Sequence, residues 1–188
     1  RGWNAVPLKR VLQKRLGFPV FIDNDAKVMS LAEAERGAAK GYRYAVCLTL
    51  GTGVGGGIVQ DGRLYRGSHN AAGEFGHLPV SIDGPRCNCG GRACLETYVG
   101  NNRIHKDIVA IFGKDLSLEK VSALARAGNR KALAVWNNVG TYLGVALVGI
   151  DSVNIDDASP AAAGRRPIHT ALLGNGIHVV EHLTNLAA

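Results

Sequence analysis

His77 and three cysteines, Cys87, Cys89 and Cys94, lie close together in the sequence. Cys87 and Cys89 are separated only by Asn88, which is poor geometry for a disulfide between them. Three thiolates and one imidazole complete a tetrahedral zinc shell, and neighbouring glycines let the backbone curl so that the sulfurs converge. Because no coordination position stays open, we expect a structural Zn²⁺ site. The alternative is three small buried cysteines beside an incidental histidine.

A second candidate is the glycine-rich segment 51–57, which follows a predicted strand and matches G-x-G-x-x-G. A dinucleotide fold needs a helix directly after this loop, whereas here a β-hairpin is predicted, so we reject that interpretation. No Gly-Lys-Ser/Thr follows, which excludes a Walker loop. The exposed backbone N–H groups and the Thr52 hydroxyl could hold an anion such as a nucleotide phosphate. The alternative is a plain hairpin turn.

Carboxylates lie near both segments. Asp25 follows a predicted strand and opens a predicted helix, where a carboxylate can accept a hydroxyl proton in phosphoryl transfer. The alternative role is a helix N-cap. Glu74 precedes His77 by three positions and Glu96 follows Cys94 by two, so we expect Glu74, His77 and Glu96 to lie close together. Such acceptors suit a polyhydroxylated ligand such as a sugar; otherwise both glutamates cap helices or pair with surface arginines.

The bulk properties exclude several classes. The chain has 188 residues, is 46% hydrophobic and carries a net charge of +7. Its Lys and Arg residues are scattered without interleaved aromatics, so we predict no nucleic-acid binding. The apolar runs are too short for a membrane span. Four cysteines without a secretory signal favour a reducing, cytoplasmic location. Because the chain starts at Arg1 without an initiator Met, we expect a fragment or a processed piece.

The elements that must position these residues follow from hydrophobic spacing. Asn24 or Asp25 is expected to cap the second helix, Ser117 the fourth, and Asp61-Gly62 to form a hairpin turn. Cys47 is predicted to lie in the core, and the last helix to be largely buried. We predict helices over 5–16, 26–39, 95–112 in one or two pieces, 117–127 and 130–148, and strands over 18–22, 44–50, 58–60 and 63–65. A further strand with a glycine turn is possible at 172–177.

Segments 73–80 and 84–96 together resemble the signature of the ROK family (repressors, open reading frames and sugar kinases). Segment 50–59 resembles that family's second phosphate loop, and 23–26 its catalytic strand end. The resemblance covers residues 2 to about 150. It implies an α/β, actin-like (ribonuclease H-like) sugar-kinase fold. On this basis 1–43 is the remainder of the N-terminal lobe, and 44–188 is the C-terminal lobe with the zinc loop at 73–96.

The resemblance also implies roles. ROK kinases transfer the γ-phosphate of ATP to a hexose, commonly glucose. Asp25 would be the general base on the sugar hydroxyl, while His77 would bind zinc with one ring nitrogen and face the sugar with the other. The ligands of the remaining sugar hydroxyls would be Asn24, Glu74, His77 and Glu96. The ATP phosphates, with Mg²⁺, would face Gly51, Thr52 and Gly53. A homodimer is implied as well.

The sequence departs from the family in three places. The opening Asp-x-Gly-Gly-Thr phosphate loop is absent, and Ala93 stands where the family usually has Gly. The tail 151–188 is atypical, with Gly174-Asn175-Gly176 as a possible remnant of a later glycine loop. Since phosphoryl transfer needs both lobes, we expect little or no kinase activity from this chain alone.

Two other functions stay open. One is the sugar-sensing effector domain of a ROK-type repressor, and the other is a zinc-stabilised interaction module. Glucose is the default hexose, with mannose, fructose, N-acetylmannosamine and N-acetylglucosamine as alternatives.

Overall fold

The computed structural model describes the backbone of residues 5–152 and the side chains of 5–147. The predicted strand and turn at 172–177, and all but the first two residues of the atypical tail, lie outside this part. The described chain is α/β. Its helices are α1 (Leu8–Leu16), α2 (Asp25–Arg36), α3 (Glu96–Val99), α4 (Asn101–Phe112), α5 (Leu118–Arg126) and α6 (Arg130–Ser152). Its strands are β1 (Tyr44–Leu50), β2 (Val54–Gln60) and β3 (Arg63–Tyr65), and a 3₁₀ turn spans Phe75–His77.

The three strands form an antiparallel sheet in the order β1-β2-β3. The β2–β3 turn is the predicted Asp61-Gly62, whose φ angles are 50° and 72°. Positive φ at both central residues is the geometry of a type I′ hairpin turn, so this prediction is confirmed. Cys47, at the centre of β1, is fully buried as expected.

The predicted start of the second strand is wrong, because β2 begins at Val54 and includes three glycines. A Cβ at Gly55 would lie 2.7 Å from the Ala26 Cβ, and one at Gly57 would lie 2.4 Å from the Ser30 Oγ. A Cβ at Gly56 would lie 2.5 Å from the Phe75 ring. Because successive strand residues face opposite sides, α2 packs on one face of β2 and the 3₁₀ turn on the other. The glycines permit close packing here rather than forming a loop.

The predicted strand over 18–22 is also wrong. The segment has no strand partner within 5–152, and an extended segment is a strand only when its backbone pairs with another. Phe18, Phe21 and Ile22 are 58%, 87% and 51% exposed. α1 has no buried residue either. Apolar composition identified this segment, but composition does not supply a hydrogen-bonding partner.

The remaining helices follow the prediction apart from their ends and one burial pattern. α1 begins three residues later than expected, after Pro7, and α2 ends at Arg36 rather than residue 39. The segment 95–112 divides into α3 and α4 at Gly100. α6 is not largely buried, since Leu133 and Val145 are 40% and 47% exposed. Its buried face follows helical spacing and consists of Ala132, Val135, Val139 and Ala146.

The main core lies between α3, α4, α5 and α6. Leu95, Val99 and Ile108 meet Val121 of α5 and Val135 of α6 there. Leu95 follows the last cysteine directly, so the cysteine-containing loop is anchored in this core. Within 5–152, none of the helices has the length and apolar character needed to cross a membrane.

Candidate metal centre and adjoining pocket

The four predicted metal ligands converge. The ligand atoms of His77, Cys87, Cys89 and Cys94 all lie within 4.8 Å of one another. The His77 Nδ1 is 3.7 Å from the Cys87 Sγ, and the sulfurs of Cys89 and Cys94 are also 3.7 Å apart. A tetrahedron with zinc–sulfur bonds of about 2.3 Å has edges of roughly 3.8 Å. The donor set and its spacing therefore fit one tetrahedral ion, and the alternative of unrelated buried cysteines does not explain the convergence.

The loop that carries the cysteines is held by its own backbone. Cys87 donates its N–H to the Gly91 carbonyl at 2.9 Å, and Gly90 donates to the Cys87 carbonyl at 3.0 Å. Gly90 has a φ of 93°, a conformation that a side chain would oppose. These bonds close a tight turn in which the sulfurs of Cys87 and Cys89 point to the same centre. The glycine requirement inferred from the sequence is thus met by Gly90.

Burial and hydrogen bonds shift the pKa of two of these thiols in opposite directions. The backbone N–H of Gly91 donates to the Cys89 sulfur at 3.4 Å, which lowers the pKa of Cys89, and the Cys87 thiol contributes in the same direction. Burial raises the pKa of Cys94 to about 12, and its neighbour Cys89 adds to the rise. An ion bound here displaces the thiol protons, because thiolates rather than thiols are metal ligands.

The 3₁₀ turn sets the direction of His77. The N–H of His77 donates to the Glu74 carbonyl at 3.1 Å. A Cβ on Gly76 would lie 2.0 Å from the Val54 carbonyl oxygen, so the turn presses directly on the start of β2. With Nδ1 facing the cysteines, the ring leaves Nε2 on its other side. Because His77 is exposed, Nδ1 can bind an ion shared with the cysteines while Nε2 contacts a ligand beside it.

Glu96 is bonded to the turn over 51–53, which connects β1 to β2 and is called the glycine turn below. One of its carboxylate oxygens accepts a hydrogen bond from the Val54 N–H at 3.1 Å. The same oxygen lies 2.2 Å from the position of a Cβ on Gly53. The Gly51 N–H donates to the Gly53 carbonyl at 2.9 Å, whereas the N–H groups of Thr52 and Gly53 have no acceptor among residues 5–147. Two unused donors therefore stand at the tip of the turn.

A cavity of about 420 Å³ adjoins this turn. Its walls include Thr52, Gly53 and Glu96, together with Cys87 of the metal cluster. Three cationic side chains also line it, at Arg86, Arg103 and Lys106. Arg86 and Lys106 form no ion pair with the carboxylates of residues 5–147. The cavity thus combines unused N–H donors with positive charge, which suits an anionic group.

Asn24 and Asp25 stand exposed at the start of α2. The Asn24 side chain accepts from the Lys27 N–H at 3.1 Å, so Asn24 is the N-cap. The Asp25 Oδ1 accepts from the Ala26 N–H at 2.9 Å. No hydrogen-bond donor within 5–147 occupies the second carboxylate oxygen of Asp25. The predicted capping role therefore belongs to Asn24, and Asp25 keeps one oxygen for other contacts.

Sequence reasoning missed a set of polar residues that joins this end of α2 to the loop before Glu74. The Lys27 side chain is buried and its Nζ lies 3.5 Å from the Glu74 Oε1. Arg66 pairs with Asp23. Nothing in the sequence indicated Lys27, because it lies on a helix among other polar residues. Glu74 pairs with this lysine, and Glu96 accepts from a backbone amide. Within residues 5–147, neither glutamate therefore pairs with a surface arginine, which was the alternative role for both.

The chain is similar to proteins of one family. The family model described as the ROK family matches residues 1–158. A glucokinase of Halalkalibacterium halodurans is 37% identical over 164 residues, covering 79% of this chain and 50% of its own length. The xylose repressor of Bacillus subtilis is 34% identical over 149 residues, covering 79% of this chain and 38% of its own length.

Solved structures of ROK proteins are also similar to this chain. The ROK hexokinase from Thermus thermophilus is 35% identical with a TM-score of 0.70, covering 79% of this chain and 51% of its own. A ROK family glucokinase from Streptomyces griseus, solved with glucose and AMPPNP, is 30% identical with a TM-score of 0.68. That match covers 80% of this chain and 54% of the other. The chain therefore spans about half, or less, of the length of the relatives it matches.

Proposed function

The chain belongs to the ROK family and has the α/β, actin-like fold of that family's sugar kinases, and on this premise we propose an ATP-dependent hexose kinase function. In this proposal the chain supplies hexose-binding and phosphate-facing residues, and glucose is the expected hexose. The division into a remainder of the N-terminal lobe over 1–43 and a C-terminal lobe over 44–188 belongs to the same proposal, as does a homodimer.

One observation carries the proposal. The cavity beside the glycine turn is lined by Thr52 and Gly53, by Glu96 and by Cys87 of the metal cluster. A turn with unused N–H donors and Glu96, one of the proposed hydroxyl ligands, thus share one space, whereas Asn24, Asp25, Glu74 and His77 do not line it. This juxtaposition is what a kinase needs, because the phosphate chain and the acceptor hydroxyl must meet.

Each side chain then has a role in the proposal. Asp25, exposed with one free carboxylate oxygen, is the general base that takes the proton of the attacking hydroxyl. Asn24, Glu74, His77 and Glu96 hold the other hydroxyls, with Glu96 using the oxygen that is not bonded to Val54. Gly51, Thr52 and Gly53 face the phosphates of ATP, whose Mg²⁺ neutralises charge on them. The cations on the cavity wall assist this binding.

The metal in this proposal is Zn²⁺ bound by His77, Cys87, Cys89 and Cys94. Three thiolates and one imidazole are the donor set of structural zinc sites. The ion supplies no step of the reaction and holds the loop in one conformation. His77 would thereby present Nε2 to the sugar, and the core anchored at Leu95 keeps the loop in place.

A second function is supported by the 34% identity to a xylose repressor. In that case the same residues sense a sugar without transferring phosphate. A third possibility is a metal-stabilised interaction module with no sugar affinity. The three differ in the ligands they bind, which allows a direct test.

Calorimetry of the purified chain separates them. The kinase proposal predicts binding of glucose and of a non-hydrolysable ATP analogue with Mg²⁺. The repressor function predicts hexose binding without nucleotide binding, and the interaction module predicts neither. Thr52→Val should weaken analogue binding, whereas Thr141→Val, on the exposed side of α6, should leave it unchanged. Equal nucleotide affinity in Thr52→Val and the unaltered chain would contradict the assignment of the turn.

A further inference from the structure

Lys27 is unusual because its charged side chain is buried. The side chain is only 4% exposed. Among the described residues the buried polar or charged side chains are Lys27 and Ser30. Burying an ammonium group is costly unless oxygen atoms surround it. The contacts that offset this cost therefore indicate what the residue does.

Two acceptors on one loop receive the ammonium group. Nζ donates to the Asn70 carbonyl at 2.5 Å and lies 3.5 Å from the Glu74 Oε1. The Glu74 side chain is 47% exposed, so its carboxylate has a buried cation on one side and open space on the other. The Lys27 backbone N–H is bound by Asn24 at 3.1 Å. Lys27 thus contacts the residue before Asp25 and the loop that carries Glu74.

A second ion pair runs beside the first. Arg66, at the start of the same loop, pairs with Asp23 and donates from Nη1 to the Asn70 Oδ1 at 3.1 Å. Asn70 is therefore bound by Arg66 through its side chain and by Lys27 through its carbonyl. The loop 66–74 is tied at two points to the segment 23–27.

We propose that Lys27 is a positioning residue, which sets the carboxylate of Glu74 relative to Asn24 and Asp25 through the Lys27–Glu74–Asn70 contact. The inference rests on the proposed function, because Glu74 matters to a sugar only if a sugar binds. A half-exposed glutamate samples several rotamers, and a fixed ammonium group beside it favours one of them. The sugar then meets an oriented acceptor and loses less entropy on binding.

The test is a double-mutant cycle on glucose affinity in the full chain. Lys27→Met keeps the length and apolar stem of the side chain and removes its charge. With Glu74 present, Lys27→Met should raise the glucose dissociation constant by about tenfold, because the Glu74 carboxylate loses the ion pair that orients it. In the Glu74→Gln background the same change should alter it less than about twofold. Lys40→Met, an exposed lysine near the end of α2, is the matched control and should leave affinity unchanged.

A purely structural role gives a different pattern. It predicts a lower urea midpoint for Lys27→Met, with the same fold-change in glucose affinity in both Glu74 backgrounds, and that result would overturn the proposal. Absence of hexose binding in the unaltered chain would refute the proposed function instead. In that case non-additive losses in the free energy of unfolding for Lys27→Met and Glu74→Gln would still support the contact between Lys27 and Glu74, and additive losses would overturn it as well.

Discussion

One carboxylate oxygen of Glu96 accepts a hydrogen bond from the backbone N–H of Val54 at 3.1 Å. This bond joins the first residue of α3 to the first residue of β2. It couples the end of the cysteine loop to the glycine turn, although the two are 42 residues apart in the chain. The loop that carries the four candidate metal ligands and the turn proposed to face phosphate are therefore directly linked.

Gly53→Ala should break this coupling. The added Cβ would lie 2.2 Å from the Glu96 Oε2 and would displace the carboxylate. We expect a loss of about 1–2 kcal/mol in the free energy of unfolding and faster hydrogen exchange at the Val54 amide.

Gly51→Ala is the matched control for stability. A Cβ on Gly51 meets nothing within 4 Å. Its free energy of unfolding should stay within about 0.5 kcal/mol of the unaltered chain. Equal effects of the two changes, measured by urea unfolding, would contradict the proposed contact.

Gly57→Ala tests the packing of α2 on the sheet. Its Cβ would lie 2.4 Å from the Ser30 Oγ and 2.8 Å from the Ser30 Cβ, both inside the interface. We expect a loss of about 2–3 kcal/mol, because neither backbone can withdraw without moving α2.

Ser30→Gly in the same background should restore part of this loss. The rescue is incomplete, since glycine within a helix costs about 1 kcal/mol. If the double variant is less stable than Gly57→Ala by the full cost of Ser30→Gly alone, the two residues do not share this contact.

The ion pair of Asp23 with Arg66 makes stability depend on pH. The guanidinium of Arg66 lowers the pKa of Asp23, and the Asn24 N–H acts in the same direction. Because the pKa is lower in the folded than in the unfolded chain, the stabilisation is present above the usual Asp range. It is lost as the pH falls through the folded value.

Asp23→Asn should therefore be less stable than the unaltered chain at pH 7, by up to about 1 kcal/mol. The difference should shrink below about pH 4 as Asp23 becomes protonated. Urea unfolding across this range measures it. A stability difference that grows towards acid pH would show that the ion pair with Arg66 does not lower the pKa of Asp23.

The parts of the fold that the sequence predicted correctly depend on local chemistry. Asp61-Gly62 forms a type I′ turn because these residue types tolerate positive φ, whatever lies around them. Ser117 caps α5 for an equally local reason, accepting from the Lys120 N–H at 3.3 Å. The convergence of the four candidate metal ligands was also predictable, since short spacing and glycines limit where the sulfurs can go.

The parts that were missed depend on contacts between distant segments. The sequence predicts a loop at the glycines of β2, because it does not reveal that α2 and the 3₁₀ turn approach them. The segment 18–22 has the composition of a strand but no partner among the described residues. The burial of Lys27 follows from the loop 66–74 folding over it, 43 residues further along the chain. Hydrophobic periodicity indicates which secondary structure a segment prefers, but it does not show which distant segments contact it.

We propose that a bound Zn²⁺ holds His77 and the neighbouring glutamates in position for a hexose. Cys89→Ser removes one ligand of the exposed half of the cluster. Cys47→Ala is the matched control, because Cys47 is buried in β1 and lies outside the cluster. It should lose some stability while keeping its zinc and its glucose affinity.

The decisive measurement is zinc content by elemental analysis together with glucose affinity by calorimetry on the same Cys89→Ser sample. We expect loss of the ion, a lower free energy of unfolding by about 2 kcal/mol or more, and glucose binding weakened by about tenfold or more. Loss of zinc with unchanged glucose affinity would contradict it.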